Sequence, residues 1–575
     1  MAAAHDKKKD HTFREFGGVN TQAVRQAIDD AEFSWLENMI PIGYGNLQTI
    51  PGPVDTGVVL PATCYWFKCA NLNNVDYCLM FCTDGSAYQI NLTNGLYTRT
   101  TIGTAGTFNG SGTQFDQWQN TKAIIADPVK GIFSWDGSTL VSLNTVVTVT
   151  AKIDNGSGSS GTTMTVTVTS GTIQIGSVVT GAGVAANTVI VAFIGGSGGT
   201  GTYQVNNAQL VASESMTVTP TVPAAGTAIA CYAGRVWIAN GRTVTFSAPA
   251  SYVDYTQTDY GGSFTITDST LHSVITQLVA TNSYLYIIGS DSVNVVSDVR
   301  ISSSPATTVF SNQNLVTTTG TLSPGSVTSY YRTLWMATPY GLYGITGSTS
   351  QKGSDKLDGL FQLLANTNAI SCGVAVISEV LCLCFLLSYN DPIAGNRPLF
   401  AIFFNKKWFF ASQGAGLTFC GEASLNGVQT LFATNGTKLY KLFSNPAAII
   451  AQTAQTKLWD FGDSISTKQT LKAGVETVLS SVAGSINMTV DSELAISQPA
   501  LNSPTTITWI NNRLNSVGWV NNLSAPVGWM LTGFAWFRGD ASNFGKYAGL
   551  TFTATMPGIK LSAFQMQYEL RDRWG

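Results

Sequence analysis

The densest group of potential metal ligands in this 575-residue chain is Cys64, Cys69, Cys78 and Cys82. Four thiolates suit zinc, yet zinc ribbons bring their ligands in pairs two residues apart, and no histidine lies near these four. Buried small apolar side chains fit the spacing better. Cys382 and Cys384 alternate along one predicted strand and read the same way. No metal site is expected. Of the three histidines, His5 and His11 lie in the charged N-terminal arm. His272 has no nucleophile or ligand beside it in sequence and reads as a hydrogen-bonded strand-end residue. Gly195-Gly196-Ser197-Gly198-Gly199 has the letters of a serine-hydrolase elbow but lacks the helix that must follow. Arg538-Gly539-Asp540 has the letters of an adhesion tripeptide, and a turn after Trp536-Phe537 is the plainer expectation. Neither a P-loop, a dinucleotide fingerprint nor His-Glu-x-x-His occurs. The chain is therefore expected to have no catalytic residue and no cofactor, and not to be an enzyme.

The elements that would hold any such residues recur. A short apolar phrase appears at Leu79-Met80-Phe81-Cys82-Thr83, Ile124-Ile125-Ala126-Asp127, Val236-Trp237-Ile238-Ala239-Asn240 and Leu285-Tyr286-Ile287-Ile288-Gly289. It returns at Leu334-Trp335-Met336-Ala337-Thr338, Leu381-Cys382-Leu383-Cys384-Phe385 and Leu431-Phe432-Ala433-Thr434-Asn435. First residues are separated by 45, 112, 49, 49, 47 and 50 positions. Such a period is in the range of propeller blades. Turn residues follow most phrases, as in Asp84-Gly85, Asn240-Gly241 and Asn435-Gly436, and a second strand comes next. A strand apolar on both faces must lie between neighbouring sheets. The pattern predicts an all-β fold containing a β-propeller of about six to eight blades.

The 112-residue step exceeds one normal step of 47 by 65 residues, and a segment of different composition fills the gap. Gly156-Ser157-Gly158-Ser159-Ser160-Gly161 leads into the strict alternation Met164-Thr165-Val166-Thr167-Val168-Thr169. The expected organisation is an arm at 1–15, an N-terminal platform segment at 16–60 and propeller strands at 61–145. A small inserted Gly/Thr-rich β-domain at 146–222 follows, then further propeller strands at 223–450. A C-terminal β-sandwich-like docking domain at 451–575 completes the chain. Thr21 to Asp30 predicts a single helix, although Asp29-Asp30 would sit at its electrostatically unfavoured end. Trp509, Trp519, Trp529 and Trp536 are expected on the rims of the last domain. Phe13, Phe16, Phe33, Trp35 and Leu36 precede the repeat and need a burial site, so they are expected at an inter-subunit or adaptor interface.

Charged residues make up 11% of the chain, against roughly 25% in ordinary soluble proteins. Thirty basic and 33 acidic residues leave a net charge of −3, which makes no case for a general nucleic-acid binder. Little electrostatic repulsion separates copies of such a chain, which suits an assembly subunit. The start carries no signal-peptide core, and the longest apolar run, Val380 to Leu387, is too short to span a bilayer. Synthesis and assembly in the cytoplasm are expected.

Phe16-Gly17-Gly18-Val19-Asn20-Thr21-Gln22, with Glu32-Phe33-Ser34-Trp35-Leu36-Glu37-Asn38-Met39 and Pro41-Ile42-Gly43, resembles the opening of tail nozzle proteins of short-tailed bacteriophages. These are also called tail tubular or DNA-stabilisation proteins. Gly545-Lys546-Tyr547-Ala548-Gly549 adds to the likeness. The resemblance implies a virion-tail location and a homo-hexameric ring below the portal and adaptor proteins. It further implies a central channel that retains and then conducts double-stranded DNA, and docking of tail fibres. A lumen rich in Lys and Arg would gain affinity at each phosphate and stall the DNA. The chain's charge balance fits transit without tight or specific binding. The rival readings are a host-glycan-binding tail adhesin or fibre protein and, less favoured, a glycan depolymerase. Ser134-Trp135-Asp136-Gly137 resembles the Asp box of sialidases only superficially and no repeat copies it. Glu occurs nine times, so a pair of glycosidase carboxylates would have to come mainly from Asp.

Overall fold

The computed structural model describes residues 8–42, 45–267, 273–304, 306–316, 320–347, 349–414, 416–478, 485–501, 519–520, 526–527 and 535–573. The fold is all-β, and each recurring apolar phrase lies in the second strand of a four-stranded antiparallel unit. Sheet 1 runs from Cys64–Leu72 to Thr98–Gly103, and sheet 2 from Gln114–Trp118 to Leu140–Ser142. Sheet 3 spans Ala228–Tyr232 to Gly262–Thr265, sheet 4 Ile275–Thr281 to Ala306–Val316, and sheet 5 Val327–Tyr330 to Thr349–Lys352. Sheet 6 spans Ser371–Ile377 to Lys407–Ala411. Sheet 7 combines Phe419–Leu425, Val428–Thr434 and Lys438–Asn445 with Gly52–Val59 from far upstream.

Burial explains why the second strands are apolar on both faces. One face of each packs on the preceding sheet and the other on the following sheet. Phe81 and Phe115 pack between sheets 1 and 2, Ile124 and Ile238 between sheets 2 and 3, and Trp237 and Leu285 between sheets 3 and 4. Tyr286 and Leu334 pack between sheets 4 and 5, Trp335 and Phe385 join a core shared by sheets 5 and 6, and Phe432 meets Phe67 between sheets 7 and 1. The first strands are neighbours in chain order from sheet 1 to sheet 4, and from sheet 5 through sheet 7 back to sheet 1.

Between sheets 2 and 3, residues Val147 to Thr219 form a closed six-stranded barrel. It encloses its own core of Val149, Ile153, Met164, Ile190, Tyr203 and Met216. Its first and last strands pair, with Val147 opposite Val218, so the chain enters and leaves at one point.

Sheet 6 extends sideways. Phe33–Glu37 joins its last strand through a parallel bridge from Glu37 to Phe410. Gln452–Thr456, Gly549–Ala554 and Ile486–Asp491 then continue the same sheet. A second sheet, built from Met39–Pro41, Leu47–Thr49, Lys560–Arg573, Ser466–Val478 and Ala535–Gly545, faces it. Phe552 of the first meets Phe564 of the second with ring centroids 6.0 Å apart.

Three local expectations need correction. Lys9–Phe13 is not a free arm but a strand paired with Lys560–Arg573, placing Phe13 opposite Phe564. The helix expected over Thr21 to Asp30 is a series of turns. There the Asn20 side chain accepts from the Gln22 amide at 3.1 Å, and Glu32 accepts from the Asp29 amide at 3.2 Å. Such side-chain bonds compete with the helical ladder. Arg538-Gly539-Asp540 is not a turn, because it lies inside the strand Ala535–Gly545.

Candidate functional site

The first strands of the seven sheets line a cavity of about 170 Å³ through Trp66, Gln114, Ile229, Gln277, Thr328, Cys372 and Glu422, with Lys68 beside Trp66. A second cavity of about 350 Å³ opens where these strands begin, lined by Tyr65, Pro324, Ile370 and Phe419. Trp66, Gln114, Pro324, Gly325 and Phe419 touch both cavities, so they form the partition between them.

Every described charge on the first cavity's wall is engaged. Lys68 Nζ lies 2.7 Å from Asp116 Oδ1 and donates to the Phe115 carbonyl at 3.4 Å. The other Asp116 oxygen accepts from the Cys231 amide of sheet 3 at 2.7 Å. Gln114 Nε2 donates to the Thr227 and Thr276 carbonyls at 2.9 and 3.1 Å, tying sheet 2 to the entries of sheets 3 and 4. Glu422 accepts from the Val374 amide at 2.6 Å and from the Thr328 hydroxyl at 3.1 Å. Burial holds its carboxyl above the ordinary range, against those hydrogen bonds and the Lys68 charge. Gln277 Oε1 is buried with no protein partner. The two carboxylates thus brace the wall, each committed to backbone amides and neighbouring strands.

Of the residues expected at an interface, Phe13, Phe16, Phe33 and Leu36 lie in the chain's own core and Trp35 packs at its edge. Phe33 and Leu36 are fully buried, and Phe13 and Phe16 nearly so. Phe13 stands with its ring 5.4 Å from Phe16, 5.5 Å from Phe33 and 5.5 Å from Trp459. Trp35 is half-buried, 4.5 Å from the Phe410 ring, and its indole donates to Glu37 at 2.9 Å. The burial that suggested an interface is met by the strands Phe33–Glu37 and Lys560–Arg573 of the same chain. No local signal in the sequence pairs those segments.

The glycine phrases behind the family resemblance have packing reasons. A Cβ at Gly17 would lie 2.5 Å from the Ala31 carbonyl oxygen, and one at Gly549 would lie 2.4 Å from the Lys457 oxygen. Close backbone approach demands glycine at both.

The remaining sequence candidates are scattered. Cys64 and Cys69 stand opposite Cys82 and Cys78 in one hairpin, all as free thiols. His11 is wedged between Trp459 and Phe461, with ring centroids at 4.8 and 5.2 Å. Asp136 accepts from the Ser138 and Thr139 amides at 2.9 and 2.8 Å, capping a turn. Ser197 lies in the turn between barrel strands Thr188–Gly195 and Gly201–Gln209. His5, His272, Trp509 and Trp529 lie outside the described residues. Among the described residues no three His, Cys, Asp or Glu side chains converge as a metal site would require, and no helix is long and apolar enough to cross a membrane.

No family model matches the chain, and no curated protein matches it. Among solved structures, the extracellular domain of the two-component system BT4673 from B. thetaiotaomicron aligns at 10% identity and a TM-score of 0.34. That alignment covers 68% of this chain and 39% of the other, so the chain spans about two fifths of its length. BBS1N, solved in complex with ARL6DN, aligns at 8% identity and a TM-score of 0.36, over 69% of this chain and 98% of that one. Chaetomium thermophilum Raptor aligns at 10% identity and a TM-score of 0.34, over 68% and 29%. Likenesses this low carry no functional argument.

Proposed function

We propose that the seven sheets make a seven-bladed β-propeller closed by the upstream strand Gly52–Val59, and that the chain is a structural subunit of a short phage tail. In this reading it is a nozzle protein, which assembles with copies of itself into a hexameric ring below the portal and adaptor. The ring retains double-stranded DNA, conducts it at ejection, and docks tail fibres. The observation that carries the reading is the use made of the nozzle-like N-terminal phrase. Its strand Phe33–Glu37 bridges sheet 6 to the C-terminal strands Gln452–Thr456, Gly549–Ala554 and Ile486–Asp491, so sheet 6 and part of the C-terminal region share one continuous β-sheet. A wall subunit under internal DNA pressure needs that rigid connection more than it needs a catalytic cleft. Ion pairing of exposed cations, as in Lys438–Asp55 at 3.0 Å and Lys472–Asp540 at 3.9 Å, also suits a duct that must not grip phosphate.

Negative-stain imaging of the purified chain, alone and with its adaptor, tests the assembly. Six-fold rings with an axial channel are the expected result. A monomer or trimer that binds host glycan would instead favour the adhesin. Gel-shift titration of the ring with duplex DNA tests the conduit. Salt-sensitive binding tighter than roughly micromolar would point to a DNA clamp.

A further inference from the structure

The hairpin of sheet 1 places two cysteine pairs directly across from each other, Cys69 opposite Cys78 and Cys64 opposite Cys82. The two pairs differ in geometry. Leu72 and Val75 flank a two-residue turn, Asn73-Asn74, whose φ values of 51° and 64° are those of a type I′ hairpin. The turn's own hydrogen bond makes Leu72 and Val75 a hydrogen-bonded pair. Alternation along the ladder then makes Cys69 and Cys78 a non-hydrogen-bonded pair, where side chains stand closest. Their Cα separation there, about 4.5 Å, falls inside the window a disulfide accepts. Asn71 and Asp76, two residues nearer the turn and the next non-hydrogen-bonded pair, are already joined side chain to side chain at 2.6 Å. Cys64 is less well placed. The ladder shifts register beside it, and its thiol contacts the Trp66 carbonyl at 3.3 Å.

We propose that Cys69 and Cys78 are a disulfide-forming modification site, oxidised through exchange with a low-molecular-weight disulfide such as glutathione disulfide. Cys69 is the entry point. It is half-buried and lines both the inner-strand cavity and an adjoining one of about 300 Å³, whereas Cys78 is sealed in the core. The Cys69 thiolate attacks one sulfur of glutathione disulfide, forming a mixed disulfide and releasing one glutathione thiolate, which takes up a proton. Cys78 then loses its proton and attacks the Cys69 sulfur, forming the cross-strand disulfide and releasing the second glutathione. Two thiols are oxidised and one glutathione disulfide is reduced to two glutathiones. Burial, with the neighbouring Cys69 thiol, pushes the Cys78 thiol well above its ordinary range, so the second step depends on the cross-strand proximity of the pair rather than on thiolate abundance.

The test incubates the full-length reduced protein with glutathione disulfide and reads free thiols and peptide masses. The expected result is loss of two thiols with no retained glutathione. Chymotryptic cleavage between the two positions, at Leu72 and Tyr77, should leave fragments joined through Cys69 and Cys78. Cys78→Ser should stop at a stable glutathione adduct on Cys69, and Cys69→Ser should leave Cys78 unmodified. A persistent adduct on wild-type Cys69, a cross-link between other cysteines, or full retention of thiols in the folded protein would each overturn the proposal.

Discussion

The Thr328 hydroxyl donates to the Glu422 carboxyl at 3.1 Å, joining sheet 5 to sheet 7 across sheet 6. The amide of Val374, in sheet 6, completes the link at 2.6 Å. One enclosed acid therefore ties the first strands of three consecutive sheets together.

That acid gives stability a definite pH sign. Burial raises the folded-state pKa of Glu422 above its unfolded value, so between the two the folded state binds more protons. Its contribution to stability is greatest below the unfolded carboxyl value. It declines as pH rises toward the raised folded value and is constant beyond it. Glu422→Gln keeps an acceptor for Val374 and Thr328 and removes the ionisation. Thermal melts from about pH 4 to about pH 8 should show the variant gaining on wild type as pH rises. A constant difference would assign the pH dependence elsewhere.

Phe33 lies in the aromatic cluster of Phe13, Phe16 and Phe564, with no exposed surface. Truncation of a buried Phe to Ala costs about 3–5 kcal/mol. Phe33→Ala should lower stability to chemical denaturation on that scale. A large loss of assembly at unchanged protomer stability would return Phe33 to an interface.

Arg25 Nη2 meets Asp491 Oδ2 at 2.8 Å, and Arg25 Nε donates to the Thr456 carbonyl at 2.7 Å. Removing one partner of a largely buried ion pair typically costs about 3–5 kcal/mol, because the other charge is left desolvated. Asp491→Ala should approach that loss in urea unfolding. Because Arg25 and Asp491 act together, the double variant with Arg25→Met should recover part of it.

The barrel of residues 147–219 has a core of its own and adjacent ends. Replacing it with a short Gly-Ser linker should leave a remainder that melts cooperatively, since closure of a short loop costs little. The excised barrel should fold alone. Failure of both pieces to give soluble protein would show that the barrel is integral to sheets 2 and 3.

The β class, the recurring second strands and the foreign character of the barrel were legible because they rest on local patterns. Apolar phrases such as Val236 to Ala239 record burial on both faces, and Met164 to Thr167 records a face inside and a face outside, an alternation that ends at the exposed Val168. The free arm expected over Lys9–Phe13 and the helix expected at Thr21 to Asp30 fail for the same local reason. Charge near Lys9 and helix-compatible residues near Ala27 describe what a segment can do in isolation. What Lys9–Phe13 does is pair with Lys560–Arg573 at the opposite end of the chain, and Gly52–Val59 pairs with Lys438–Asn445. Tertiary structure alone decided these pairings, and with them the burial of Phe13, Phe16, Phe33 and Leu36 inside the chain. A strand carries its hydrogen-bonding groups on the backbone, which is nearly the same for every residue. Side chains therefore announce that a strand must be covered, while the identity of the covering strand emerges only when the whole chain has closed around it.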